Sequence, residues 1–227
     1  MNNANFQWKN ALAKIMLAGA LSCSLTACVP VMLVSGAVGG GMAASDRRTV
    51  GMQTEDKVIT LKGENIASKT SGENGHVNVA CFNRKVLLTG EVDSEATKQA
   101  VANEISSIEN VQAVVNELAV MAPSTIGSRS NDSLITSKVS ASFLAEKDLY
   151  SHAFKTVTER GTVYLMGRVT EREGNHAAQV ASGVSGVQQV VKVFEYITEE
   201  ELQKMTVVQQ TEKNNSSWDA PPDEIGD

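Results

Sequence analysis

The sequence predicts an α+β protein built from two tandem copies of one αββαβ unit, each a three-stranded mixed sheet packed against two helices. Three observations predict it: an internal repeat, a hairpin signal, and helix-capping residues set between strand patterns. Val86-Leu-Leu-Thr-Gly-Glu-Val92 aligns with Val163-Tyr-Leu-Met-Gly-Arg-Val169 at an offset of 77, and Val111-Gln-Ala-Val-Val115 with Val187-Gln-Gln-Val-Val191 at 76. Upstream, Asp56-Lys-Val-Ile-Thr-Leu-Lys62 aligns with Asp132-Ser-Leu-Ile-Thr-Ser-Lys138, again at 76. Blocks in one order at near-constant spacing mark a duplicated unit. With 227 residues, 42% of them hydrophobic, the chain can form a core in each copy.

The elements follow in order. Residues 1–27 read as an export signal: Lys9 and Lys14 are the only charges before Cys28, and residues 15–21 are an apolar run too short to span a bilayer. Leu25-Thr-Ala-Cys28 resembles a bacterial lipobox, in which the Cys thiol accepts a diacylglyceryl group and becomes the mature N-terminus. Cys28 is thus the expected lipid anchor, and two or more acyl chains hold a protein stably where one does not. Val29 follows it. In enterobacterial lipoproteins an Asp there marks inner-membrane retention, so the resemblance implies the outer membrane, with the protein facing the periplasm of a Gram-negative bacterium. Residues 28–45, apolar and glycine-rich, read as a membrane-proximal tether. No strand precedes them and no Gly-Lys-Ser/Thr follows, which excludes a phosphate loop.

The first copy covers 46–120, a polar linker with Pro123 covers 121–130, and the second copy covers 131–197. In the second copy Asp132 is the expected N-cap of a helix whose apolar positions recur at helical spacing: Ile135, Val139 and Phe143, then Leu134, Ala141 and Leu144. Phe154–Glu159 and Thr162–Val169 flank Arg160-Gly161 as a hairpin. On its second strand Val163, Leu165, Gly167 and Val169 point one way, and Tyr164 and Met166 the other, as an exposed face. Thr170-Glu-Arg-Glu173 is a capping box for a helix to about Ser182, and a strand over 187–197 closes the unit. A strand–helix–strand crossover makes that last pairing parallel. A further capping box at Thr198-Glu-Glu-Glu201 opens an amphipathic helix over 198–210, with Leu202, Met205 and Val208 on one side. From 211 to 227 the composition is that of a disordered acidic tail.

These repeats resemble BON domains, the small αββαβ modules of Gram-negative envelope proteins. The residues that carry the resemblance are the glycine of Val-x-Leu-x-Gly-x-Val and the Val184-Ser-Gly-Val187 entry to the last strand, with Asn131-Asp132, Ile135-Thr136 and Val169-Thr-Glu-Arg-Glu173 in the second copy. With the lipobox and Arg48-Thr-Val-Gly51, the whole is similar to the dual-BON outer-membrane lipoproteins. That resemblance implies binding of anionic phospholipid through the first helix of the second domain, support of outer-membrane integrity, and accumulation at division sites. Carried onto this chain, the lipid-facing residues are Gly127, Ser130, Asn131, Asp132, Ser133, Leu134, Lys138 and Leu144. Close relatives carry Trp at the position of Leu134 and Arg at that of Ser140, so the contact here is expected to be weaker or shifted. Periodicity alone would instead pack Leu134 and Leu144 on the sheet.

Other chemistry finds little footing. His76, His152 and His176 form no His-Glu-x-x-His and have no ligand at metal spacing. Gly183-Val-Ser185-Gly186 is followed by Val187, so the nucleophile-elbow pattern fails. Glu171 and Glu173 sit in a helix's first turn, where capping accounts for them. The expectation is a protein without enzymatic activity, cofactor or small-molecule substrate. Its partners are an anionic phospholipid membrane or, as a second reading, envelope proteins met through the Tyr164/Met166 face and the helix that carries Leu202 and Val208. Cys81 is the only thiol left after export and lipidation, which rules out an internal disulfide. It reads either as a reactive thiol or, more plainly, as a small buried hydrophobe on a strand.

The net charge of −6 argues against nucleic acid, whose binders present a clustered basic face. Taken whole, it also opposes an acidic membrane; divided along the chain, it does not. Residues 198–227 carry eight acids and two lysines, 46–120 eleven acids and eight basic residues, and 124–197 seven acids and eight basic residues. Of these three stretches, the one that holds the second copy is the one that is not acidic.

Overall fold

A computed structural model describes residues 46–205. The signal (1–27), Cys28, the tether (28–45), the end of the 198–210 helix and the tail (211–227) lie outside the described residues.

The first unit comprises α1 (Val50–Ser71), β1 (His76–Phe82), β2 (Lys85–Val92), α2 (Glu95–Ser106), β3 (Ala113–Asn116) and β4 (Ala119–Val120). The second comprises α3 (Ile126–Ala145), β5 (Phe154–Glu159), β6 (Thr162–Val169), α4 (Glu171–Ser182) and β7 (Gln189–Tyr196). In each, an antiparallel hairpin is extended by a parallel strand across the intervening helix. The closing strand of the first sheet is split in two, β3 and β4 both pairing with β2. Residues 199–205 are helical, opened by the expected reciprocal cap between Thr198 and Glu201.

Both hairpin turns place two residues in the left-handed region: Asn83 and Arg84 (φ 51 and 63), and Arg160 and Gly161 (φ 48 and 71). That is the turn whose twist matches the strands it joins. The glycine of the repeated Val-x-Leu-x-Gly-x-Val has a steric cause. A Cβ at Gly90 would lie 2.0 Å from the His76 carbonyl oxygen, and one at Gly167 would lie 2.6 Å from that of Ala153. The hairpin closes only where no side chain intrudes.

Asp132 corrects one expectation. It is not an N-cap: α3 begins at Ile126, capped by Thr125, whose Oγ1 accepts from Ser128 N. The helix therefore takes up half of the expected linker. Asp132 lies inside it, buried, and accepts from the backbone N–H of Arg160 and Gly161, both at 2.9 Å. Asp56 in α1 does the same for Asn83 and Arg84, at 2.7 and 2.8 Å. In each unit an aspartate on the first helix pins the hairpin turn.

Each sheet has two buried faces. Val79, Cys81, Val86 and Leu88 pack under α1 and α2 with Ile59, Ala67, Val101 and Ile105. Val163, Leu165 and Val169 pack under α3 and α4 with Ile135, Val139, Phe143 and Ala177. The opposite faces meet each other: Ala80, Phe82 and Leu87 pack on Tyr164, Met166 and Val193. The result is four layers, helices–sheet–sheet–helices. Tyr164 and Met166, expected to be exposed, are 4% and 1% exposed. The first sheet, not solvent, covers them.

Polar bonds rim this seam. Arg160 Nη1 donates to buried Glu91 at 3.0 Å, Asn78 Nδ2 to Glu159 at 2.8 Å, Lys85 Nζ to the Phe194 carbonyl and Lys155 Nζ to that of Cys81. Two consecutive arginines ahead of α1 grip opposite units. Arg48 reaches Asp56 (2.7 Å) and lies over the Phe82 ring. Arg47 forms a bidentate pair with Glu173 of α4 (2.6 and 2.9 Å) and donates to the Arg168 carbonyl.

Candidate functional site

The surface that the sequence expectation points to is the outer side of α3, which the structure leaves open. At 1.5 Å per residue this helix is about 30 Å long. Ile135, Val139 and Phe143 turn inward. At 100° per residue Leu134 then points away from them, and it is 61% exposed. Leu144 is 67% exposed near the C-terminal end and Ile126 81% at the N-terminal end. Leu134 and Leu144 therefore do not pack on the sheet.

Of the residues expected at a lipid, Gly127, Ser130, Asn131, Ser133, Leu134, Lys138 and Leu144 share this open surface. Asp132 does not. Its carboxylate is used by the hairpin and faces the interior. With Asp132 turned in, Lys138 is the only formally charged residue on the exposed side of α3. A helix with apolar and cationic groups outward and no acid suits an anionic surface.

The serines add a further property. Ser130, Ser133, Ser137 and Ser140 each donate to the carbonyl four residues earlier, at 2.9–3.0 Å. Their hydroxyl protons are satisfied within the helix, which lowers the cost of removing water from this face. Gly127 has room for a side chain: a Cβ there meets only Thr125 Oγ1, at 3.8 Å.

Sequence reasoning misses Ile126, because a cap at Asp132 starts the helix about two turns late. It also misses Tyr150, exposed just beyond α3. The signal for Ile126 lies in Thr125, a good capping residue directly before an apolar one. Tyr150 also receives the Arg47 guanidinium, 5.8 Å from its ring centre. Arg47, ahead of α1, thus meets the second unit beside the end of α3.

A polar cleft of ≈ 400 Å³ on the inner flank of α3 is lined by His76, Asn78, Arg129, Thr136 and Glu159, among others. Arg129 is held by the Ser124 carbonyl and Glu159 by Asn78. Burial pushes the Glu159 carboxyl up and, with Arg129, pushes the His76 imidazole down. Among the described residues no group of three or more His, Cys, Asp or Glu could hold a metal ion. No described helix is long and apolar enough to cross a membrane. Cys81 takes the plainer of its readings: it is buried, its Sγ donates to Asp56 at 3.1 Å, and burial raises the thiol well above its ordinary range.

Residues 64–122 and 131–198 each match the BON domain. The chain belongs to the BON domain family. Its similar proteins include the outer membrane lipoprotein DolP of Haemophilus influenzae, 33% identical over 82% of this chain and 97% of the relative. A 21 kDa hemolysin of Actinobacillus pleuropneumoniae is 31% identical over 67% of this chain and 79% of its own length. The osmotically-inducible protein Y of Escherichia coli is 26% identical over 66% and 77%. In BON terms, the outward helix α3 is the first helix of the second domain.

Proposed function

We propose that this BON protein is a non-enzymatic lipoprotein of the outer membrane, anchored by acyl chains on Cys28. It binds anionic phospholipid from the periplasmic side through α3 and so supports outer-membrane integrity. The observation that carries the reading is the outward placement of Ile126, Leu134 and Leu144 around Lys138, on a helix face with no exposed acid. The anchoring and the compartment rest on Leu25-Thr-Ala-Cys28 and on the likeness to an outer membrane lipoprotein over most of both chains. Accumulation at division sites rests on the family resemblance. The adaptor reading loses its main surface, since Tyr164 and Met166 are buried at the seam. Its other motive, the helix after Thr198, is described only as far as Met205. There the Met205 Sδ accepts from Arg168 Nη1 at 3.7 Å, so this side chain turns toward the second domain.

Leu134→Glu tests the reading. The side chain is exposed, so the fold is unaffected to within about 0.5 kcal/mol. Losing apolar insertion and adding a like charge should weaken binding to phosphatidylglycerol-containing vesicles at least about tenfold in a sedimentation assay. Unchanged binding would sink the α3 assignment.

A further inference from the structure

The first helix of the first domain presents a face of the same kind, and a more basic one. On α1, Val50, Val58 and Leu61 are all exposed. Lys57, Lys62 and Lys69 are exposed among them, and Glu64 is the one exposed acid of the helix. The other two acids of α1 are taken up elsewhere: Glu55 pairs with Arg84, and Asp56 is buried against Arg48. Among the described residues no carboxylate lies within ion-pair distance of Lys57, Lys62 or Lys69.

The repeat supports the parallel. At the 76-residue offset Val58 corresponds to Leu134 and Lys62 to Lys138. Where the second domain has Ser137 and Ala145, the first has Leu61 and Lys69. Beside α1 an open groove of ≈ 460 Å³ has Ile66 and Ile108 in its lining, with Lys62 and Lys69 along one side and Glu109 at its rim. Two isoleucines next to two such ammonium groups, in a lining completed by Asn65 and Ser107, match acyl–glycerol and phosphate chemistry together. Soluble partners do not require that combination on a convex helix, whereas a lipid surface does.

The four-layer stack adds a geometric consequence. Because the sheets meet face to face, α1 and α3 lie on opposite sides of the body. One flat membrane cannot take both. We infer that α1 is a second contact for an anionic phospholipid surface, opposed to α3, so that one molecule can hold two bilayer surfaces together. The α1 contact stands on its own residues; the holding together rests on the α3 reading above.

The experiment uses residues 46–227, which contain both cores and the whole seam. The protein is mixed with phosphatidylcholine vesicles with and without phosphatidylglycerol; binding is read by sedimentation and clustering by light scattering. The original chain is expected to cluster only the anionic vesicles. Lys57→Gln/Lys62→Gln/Lys69→Gln is expected to bind through α3 but to cluster at least about tenfold more slowly. Leu134→Glu is expected to keep only the residual binding that α1 supplies, at least about tenfold weaker than the original, and likewise to fail to cluster. Clustering by the triple variant equal to the original, or binding without clustering by the original, would overturn the inference. Binding lost in the triple variant but untouched in Leu134→Glu would uphold α1 and overturn α3 instead, which separates the two failures.

Discussion

Arg47→Ala is expected to lower folding stability by about 3–5 kcal/mol, the range for removing one partner of a buried ion pair. The Arg47 and Glu173 side chains are 7% and 5% exposed, and the guanidinium also donates to the Arg168 carbonyl at 2.8 Å. Alanine leaves the Glu173 carboxylate buried with only its Thr170 cap, and removes the guanidinium from the Tyr150 ring. Urea denaturation of both proteins measures the loss. Glu173→Gln in the Arg47→Ala background should recover part of it, because glutamine keeps the cap and removes the uncompensated charge. The pH dependence follows from the same pair. Burial alone would raise the Glu173 carboxyl, but Arg47 and Thr170 hold it below its ordinary value. Its contribution is therefore present above the ordinary carboxylate range and lost as pH falls through the lowered value. The gap between Arg47→Ala and the original should narrow on acidification. A variant as stable as the original would mean that this pair does not fasten the second domain to the segment before α1.

Asp132→Ala should cost at least about 3 kcal/mol, since hydrogen bonds to a charged acceptor contribute about 1.5–3 kcal/mol each and two turn amides lose theirs. Asp56→Ala should cost more. Its carboxylate is held below the ordinary range, against the upward push of burial, by the amides of Arg84 and Asn83, the Cys81 thiol and Arg48. The readout that decides the role of Asp132 is lipid affinity at a temperature where the variant is folded. That affinity should match the original, because Asp132 holds a hairpin and does not meet lipid. A selective loss of lipid binding with unchanged thermal stability would return Asp132 to the binding face.

Both effects centre on residues whose roles sequence pattern misreads or passes over, and the reason is physical. Hairpins and capping boxes are local devices. Arg160-Gly161 and Thr170-Glu-Arg-Glu173 can be placed to the residue because turn and cap chemistry act over four positions. Asp132 has the residue type of an N-cap, but the amides it serves lie 28 and 29 residues away, and no local signal carries that distance. Strand alternation reads Tyr164 and Met166 as an outer face, because it separates two faces without saying what covers the second. The better sign is the unbroken apolar run Val163-Tyr-Leu-Met166, matched by Val86-Leu-Leu88, which marks central strands buried on both sides. Leu134 and Ile135 show the complementary limit. Neighbours on a helix are 100° apart, so both fit one apolar stripe, and only packing on the sheet decides which turns in.

Whether α3 meets anionic phospholipid is tested most directly by a residue-resolved NMR titration of residues 46–227 with phosphatidylglycerol and phosphatidylcholine micelles. Amide shifts along the open side of α3, at Gly127, Ser130, Leu134, Lys138 and Leu144, are predicted with the anionic lipid and not with the zwitterionic one. Equal shifts with both lipids, or shifts that leave α3 untouched, would contradict the lipid-binding role assigned to this helix.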